Sequence, residues 1–346
     1  MPANLHLITY EYKFIPPFID TVNQNFDPSS HCFILYEKRK TYQGKPYPNI
    51  TKTPRPLVWF WHAAAAANQA DRIFVHSLFP FAVLLLFFQP WLLKKSYWLI
   101  WGTGIYQYRE RNKNWLRRFY ELFRKRVIKN IGYVVTSLKG EYWLLKDWYQ
   151  TKAKNVPYFF YPSVVLDFDE PETPSGSTSR DVVKVLVGNS ATPSNYHREI
   201  LLQLNKIDTN IEYQVYCPLA YGDQEYAQSV IKLGRKLFGN RFIPVMQFVP
   251  VGEYRQFLAE MDIAVFNHDR QQALSNIRHL IGIKKKVYLR PEITTFDHLT
   301  NLGIKVFDIN QLNLNSKFPE QETNSQIIRG IYNQRQLLEN LSKLFV

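Results

Sequence analysis

Short apolar runs, many of them β-branched or aromatic, alternate along this chain with stretches whose apolar positions recur at a helical period. In the first half such runs fall at Leu5–Tyr10, Cys32–Tyr36, Leu57–Trp61, Arg72–His76, Tyr97–Trp101 and Tyr133–Ser137. In the second half they fall at Val182–Val187, Glu212–Cys217, Phe242–Met246, Ile263–Phe266, Lys286–Leu289 and Lys305–Phe307. Each reads as a strand. Helices are expected between several of the first set, including one over Ala63–Ala67, and in the second half starting near Ser194, Glu225, Gly252, Gln271 and Phe296. Strands alternating with helices mean parallel, doubly wound sheets, and two such sets predict two Rossmann-like domains facing a cleft.

The division falls at 166–181, where Asp167-Phe168-Asp169-Glu170 gives way to a run rich in Pro, Ser and Gly without periodicity. That is linker composition. The expected domains are therefore 1–165 and 182–323, with a C-terminal helix over 324–346 that packs back on the first domain.

A chain of 346 residues has apolar area enough for two cores. Cys32 and Cys217 lie far apart in apolar surroundings, which suggests neither a disulfide framework nor a metal knuckle and makes a reducing compartment the default. The start Met-Pro-Ala-Asn-Leu-His-Leu-Ile lacks the basic-then-apolar layout of a secretion signal. Phe81–Leu93 is the longest apolar stretch, broken by Gln89 and Pro90, and is shorter than the roughly 20 residues a spanning helix needs. A buried helix is expected there, with a shallow membrane-inserting element as the alternative.

Formal net charge is +14, and the surplus is concentrated. Between Arg109 and Lys129, nine Lys and Arg face only Glu110 and Glu121, with Trp115, Leu116, Phe119, Tyr120, Phe123 and Val127 threaded among them. Positions 116, 119, 120, 123 and 127 form one helical stripe. A basic amphipathic helix with aromatic residues suits an anionic membrane surface, with Arg117, Arg118, Arg124 and Lys125 as its cations. A solvated basic face is the alternative. Nucleic acid is not expected, since no nucleic-acid-binding motif accompanies the charge.

The clearest candidate chemistry is Val187-Gly188-Asn189-Ser190-Ala191-Thr192-Pro193-Ser194-Asn195-Tyr196-His197. Strand, Gly/Asn/Ser loop and helix together aim backbone N–H groups and small hydroxyls at a phosphate, with the helix dipole behind them. An ordinary turn with Ser194 or Asn195 as N-cap remains the alternative. Two more strand ends line the same expected cleft: Cys217–Asp223, with Tyr221 and Gly222, and Asn267-His268-Asp269-Arg270-Gln271-Gln272. Arg270 offers a diphosphate a bidentate fork beside a helix N-terminus. Alternatively Asp269 caps that helix and Arg270 pairs with a carboxylate.

Taken together, Ile100-Trp101-Gly102, Tyr106, Val187-Gly188-Asn189-Ser190, Ser194-Asn195, His197 and Arg270-Gln271-Gln272 resemble glycosyltransferase family 56. The resemblance runs from Glu11, at an acidic position of that family, to Asp308. It implies a GT-B fold of two Rossmann-like domains and transfer of a 4-acetamido-4,6-dideoxygalactose-like sugar from a dTDP-sugar to an undecaprenyl-diphosphate-linked oligosaccharide. That is bacterial surface polysaccharide chemistry of the enterobacterial common antigen kind, at the cytoplasmic face of the inner membrane. Donor contacts are expected from Gly188, Asn189, Ser190, Ser194, Asn195, His197, Tyr221, Gly222, Arg270, Gln271 and Gln272, and acceptor contacts near Gly102 and Tyr106. No metal is expected: Asp167-Phe168-Asp169 fits a metal motif by its letters but lies in the linker. One departure is Gly104, where relatives carry an acidic residue after Ile-Trp-Gly-Ala.

An inverting transfer needs a base for the attacking hydroxyl. Glu11 is the first candidate, with a surface strand-end charge as its alternative reading; His76 is the second, and His62 is expected as a packed core histidine. A non-catalytic membrane-surface module, or another nucleotide-sugar enzyme such as an epimerase, are the competing readings.

Overall fold

The computed structural model describes residues 2–9, 14–37, 42–109, 115–157, 161–165 and 182–346. The linker 166–181, Glu11, Arg111 and Lys113 lie outside the described residues. Two compact units emerge, one of residues 1–165 with 334–346 and one of 166–333.

The first unit runs β1 (Asn4–Thr9), α1 (Ile15–Asn25), β2 (His31–Tyr36), β3 (Ile50–Thr53), α2 (Pro56–Gln69), β4 (Arg72–His76), α3 (Pro80–Phe88), β5 (Ser96–Leu99), α4 (Thr103–Tyr106), α5 (Trp115–Asn130), β6 (Tyr133–Thr136), α6 (Lys139–Tyr149) and β7 (Lys154–Pro157). Its seven strands lie in the order β3-β2-β1-β4-β5-β6-β7, and every pairing is parallel. Side chains alternate across the sheet. Leu5 and Leu7 of β1 join Ile34, Val75, Trp98 and Val134 on one face, under α2, α3, α5 and α6. His6, between them, stacks with Phe33 and Phe74 on the other face.

Leu57–Trp61, expected as a strand, is the first turn and a half of α2. Its apolar run is too short to fix a period, while Pro56 at N1 and five following alanines favour helix. The strands at that level are β3 and, at the far edge, β7; both are polar edge strands without an apolar run to announce them. Phe81–Leu93 holds α3 and a 3-10 turn, with Leu85, Leu86 and Leu92 fully buried.

The second unit runs β8 (Val182–Val187), α7 (His197–Leu204), β9 (Glu212–Pro218), α8 (Gln224–Phe238), β10 (Phe242–Val245), α9 (Val251–Ala259), β11 (Ile263–Phe266), α10 (Leu274–Gly282), β12 (Lys286–Leu289), α11 (Thr294–Asn301), β13 (Phe307–Asp308) and α12 (Gln321–Ile331). Its six strands lie in the order β10-β9-β8-β11-β12-β13, again all parallel. The last of them begins at Phe307 rather than Lys305. In place of one C-terminal helix over 324–346 there are two, α12 in the second unit and α13 (Gln334–Phe345) in the first. Phe345 packs edge-on to His31 and Phe74 there.

In both sheets the strand order reverses beside the first strand, between β1 and β4 and between β8 and β11. Ligands of open parallel sheets bind outside the carboxyl ends at such points. No described helix is long and apolar enough to cross a membrane.

Candidate functional site

At the second reversal the loops leaving β8 and β11 are tied into one lattice. Gly188 follows β8 at φ +70, and a Cβ there would stand 2.5 Å from His197 Nε2 and 2.8 Å from Asn195 Oδ1. Only glycine fits without displacing them. The backbone N–H of Asn189 donates to Asn195 Oδ1 at 3.0 Å, and Asn195 Nδ2 donates back to Ser190 Oγ at 3.3 Å and to the Thr192 carbonyl at 3.1 Å. His268, just past β11, reaches across with Nε2 at 2.9 Å from Asn195 Oδ1 and 3.2 Å from Asn189 Oδ1. Burial holds His268 down to about 3 and His197 to about 4, so both rings are neutral at pH 7. With carbonyl oxygens facing it, Nε2 of His268 carries the proton.

Gln272 closes the lattice. It accepts from Ser194 Oγ at 2.8 Å and donates to Asn189 Oδ1 at 3.2 Å. Asn189 Nδ2 donates to the hydroxyl of Tyr221, which is 55% exposed. Gly222, at φ +117, lets its segment press against Ala191, whose N–H donates to the Tyr221 carbonyl at 2.8 Å. Strand ends β8, β9 and β11 thus meet in one cradle. Ser190, Asn195 and His197 were expected to touch a ligand, yet all are at most 1% exposed. They stiffen the cradle from inside, and Ser194, Tyr221, Gly222, Arg270, Gln271 and Gln272 remain its exposed or partly exposed members.

Neither simple turn foreseen for these loops is present. The N-cap of α7 is Tyr196, left-handed at φ +49, and the N-cap of α10 is Ala273 at φ +55; neither side chain caps its helix. Asp269 accepts from the Tyr196 hydroxyl at 3.0 Å instead of capping α10. Arg270 is half-buried and makes no ion pair among the described residues. The first N–H groups of α10 thus have no side-chain cap, and Arg270 precedes that helix by four residues. The sequence reading missed a second lattice behind it. Arg290 donates to Asn267 Oδ1 at 2.6 Å and to Glu199 at 2.7 Å, and stacks over Tyr196 at 4.7 Å. Only its place just after β12, one strand beyond β11, hinted at that.

Over residues 45–337 the chain matches the 4-alpha-L-fucosyltransferase family, glycosyl transferase group 56. It belongs to that family. Solved structures agree on the fold. A Rickettsia africae glycosyltransferase is similar with a TM-score of 0.65 at 14% identity, covering 99% of this chain and 97% of that one. The Anabaena protein HepE, solved with UDP and glucose, is similar at 0.65 and 10% identity, covering 99% and 98%. WaaG, a glycosyltransferase of lipopolysaccharide biosynthesis, is similar at 0.57 and 12%, covering 99% and 95%. The fold is GT-B, and the family 56 enzyme is a hexosyltransferase. Neither the non-catalytic module nor the epimerase stands beside that.

The transferase's first reversal point is built differently. His76 ends β4 fully buried, its Nδ1 2.7 Å from the Tyr161 hydroxyl and its Nε2 3.2 Å from His6 Nδ1. His6 continues to His31 at 3.0 Å, and Trp101 donates to Tyr161 at 2.9 Å. With both ring nitrogens engaged and no exposed surface, His76 is a core residue rather than a base. Burial holds it down to about 3. His62, expected in the core, is exposed on α2. Gly102 opens α4 half-buried, whereas Tyr106 is 8% exposed and packs on Trp148.

Helix α5 also corrects the expected face. Arg124 is 1% exposed and Glu121 7%, so this pair faces inward and Arg124 is no lipid contact. Trp115, Leu116, Phe119 and Leu122 are each more than half exposed, beside exposed Arg117, Arg118, Lys125 and Arg126. The periodicity named a stripe, but its first half is outside. Among the described residues no cluster of His, Cys, Asp or Glu is arranged to hold a metal.

Proposed function

We propose that this transferase moves a 4-acetamido-4,6-dideoxygalactose-like sugar from a dTDP-sugar to a polyprenyl-diphosphate-linked oligosaccharide at the cytoplasmic face of the inner membrane. The observation that carries the donor half is Arg270 at the uncapped start of α10, beside the Gly188 cradle. The guanidinium and the first helical N–H groups would bear the charge growing on the departing diphosphate. Tyr221 and Gln271 would face the rest of the donor. No metal is needed in this scheme, because fixed protein dipoles do its work.

For the acceptor half, α5 offers cations and aromatic side chains on one exposed surface, and neighbouring α3 adds Phe88 at 64% exposure. Such a surface is drawn to anionic headgroups and inserts shallowly. Glu11 follows β1 by two residues and is the proposed base; the turn opened by Gly102, at the end of β5, is the proposed acceptor contact. The test is nucleotide release from a panel of dTDP- and UDP-sugars, with and without a lipid-diphosphate-linked disaccharide. Release that requires the acceptor and prefers the dTDP-deoxyamino sugar is expected. Preference for a UDP-hexose would overturn the donor, and transfer to a soluble sugar alone would overturn the acceptor.

A further inference from the structure

Helix α5 turns one charged pair away from solvent, and that pair does not end on itself. Arg124 Nη1 donates to Glu121 Oε1 at 3.0 Å and to the Tyr149 hydroxyl at 2.7 Å. Its other terminal nitrogen, Nη2, donates to the carbonyl oxygen of Gly104. The single proton of Tyr149 lies between the Ile105 carbonyl at 3.3 Å and Glu121 Oε1 at 3.4 Å. The guanidinium lies 5.2 Å from the Tyr149 ring centroid. Next along α5, Lys125 lies 5.3 Å over the ring of Tyr108, just past the same turn.

The carbonyl groups at the end of a four-residue helix have no partner within it. Here Gly104 and Ile105 present theirs to a buried cation and a phenol. A guanidinium at a helix C-terminus also complements its dipole. Burial pushes the Tyr149 hydroxyl up to about 12, so it stays protonated and able to donate. A buried ion pair is a poor route to stability, since desolvation offsets most of its attraction. Its geometry is better explained by what it holds. The turn it holds leaves β5, next to β4 and the reversal point of the first sheet. The turn also runs close over the core: a Cβ at Gly104 would lie 3.3 Å from Trp98.

We infer that Arg124 is a positioning residue for the acceptor half of the reaction: through its guanidinium, helix α5 fixes the Gly102–Tyr106 turn. The inference rests on the proposed placing of the acceptor at that turn. It also gives α5 two jobs on opposite faces, lipid contact outward and turn placement inward.

The full chain is tested with a dTDP-deoxyamino sugar as donor and a farnesyl-diphosphate-linked disaccharide in phosphatidylglycerol vesicles. Arg124→Met should lower kcat/KM for the acceptor about 10- to 100-fold, the size expected for charged hydrogen bonds. Affinity for free dTDP by calorimetry and pelleting with vesicles should both stay at wild-type values. Arg124→Lys should recover only part, because one ammonium cannot span Glu121, Tyr149 and Gly104 as the fork does. Wild-type acceptor kinetics in Arg124→Met, or a loss shared equally by dTDP affinity, overturns the inference. Should Arg124→Met fail to fold, Tyr149→Phe decides, with a drop of about threefold or more expected in the same quantity and no drop overturning it. Gly102→Val separates the layers. If it leaves acceptor kinetics unchanged, the acceptor reading itself falls; if it raises the acceptor KM while Arg124→Met does not, only the positioning role falls.

Discussion

The two reversal points of this transferase occupy the same place in two similar sheets and are built from opposite materials. Beyond β8 and β11 the strand ends meet through amides, hydroxyls and a neutral histidine, which tie the two loops to each other. Beyond β1 and β4 they meet through Phe14, Phe18, Trp101, Tyr161 and His76, from which a file of buried histidines runs back along the sheet through His6 to His31. A polar cradle with an uncapped helix start suits a charged, hydrophilic nucleotide. An aromatic end next to an exposed basic and apolar helix suits an acceptor that arrives with a lipid. On the proposed function, one fold would divide the reaction by polarity, with each sheet end suited to a different substrate.

Reversing the exposed cations of α5 tests the first unit alone. Changing Arg117, Arg118 and Lys125 to Glu reverses three exposed charges, each worth about 1 kcal/mol near an anionic surface, so partition onto phosphatidylglycerol vesicles should fall on the order of 1,000-fold or more. The wild-type attraction should weaken as salt rises, leaving a remainder from Trp115 and Phe119. Affinity for dTDP should not move. Retention of vesicle binding by the reversed protein would take lipid contact away from α5. Glu11→Gln should then lower kcat on the order of 1,000-fold, within the usual range for loss of a general base, with dTDP affinity again unmoved. Near-wild-type turnover would remove Glu11 from the reaction.

On the second unit's side, Arg270→Ala should cost on the order of 100-fold in kcat/KM, because the diphosphate would lose a charge-assisted hydrogen bond. Unchanged kinetics in a folded variant would return Arg270 to the surface. Changing Asn189 and Ser190 together to Ala should weaken dTDP binding by about tenfold in calorimetry. The cause is a looser loop rather than a missing ligand bond, because Asn189 receives His268 and Gln272 and holds Tyr221. Unchanged affinity would mean that the loop keeps its shape without them.

How much of this was legible in the sequence follows the same division. The donor cradle is written in contiguous runs, Gly188–His197 and Arg270–Gln272, so its location could be read, and so could parallel sheets from the alternation of strands and helices. What could not be read was direction. Asn195 and His197 look like ligand contacts in a polar loop, but their partners, Asn189 and Tyr226, are chosen by the fold. Helix α5 failed for the converse reason. A hydrophobic stripe assumes that charge points outward, and Glu121 with Arg124 points inward because Tyr149 and Gly104, 25 and 20 residues away from Arg124, satisfy it. Leu57–Trp61 failed because five apolar residues cannot distinguish a strand from a helix whose remaining turns are alanine.

The smallest effect contrasts the two units through their buried histidines. Burial alone holds His76 down to about 3 in the folded chain, against roughly 6.5 when unfolded. The unfolded chain therefore takes up a proton that the folded one refuses, and stability falls as pH drops below 6.5 toward 3. Between pH 7.5 and 6.0 one such histidine contributes about 0.8 kcal/mol, or about fourfold in the unfolding constant, set by the unfolded value alone. All eight tryptophans lie in the first unit, so their fluorescence during urea unfolding reports that unit. His76→Asn should reduce the tryptophan-reported loss over this pH interval by that amount. His268→Asn, whose ring is held neutral in the second unit, should leave it at wild-type size. If His76→Asn kept the full wild-type pH dependence, His76 would already be protonated or solvated in the folded protein. The aromatic end of the first sheet would then be open to water, and its contrast with the polar cradle of the second would fail.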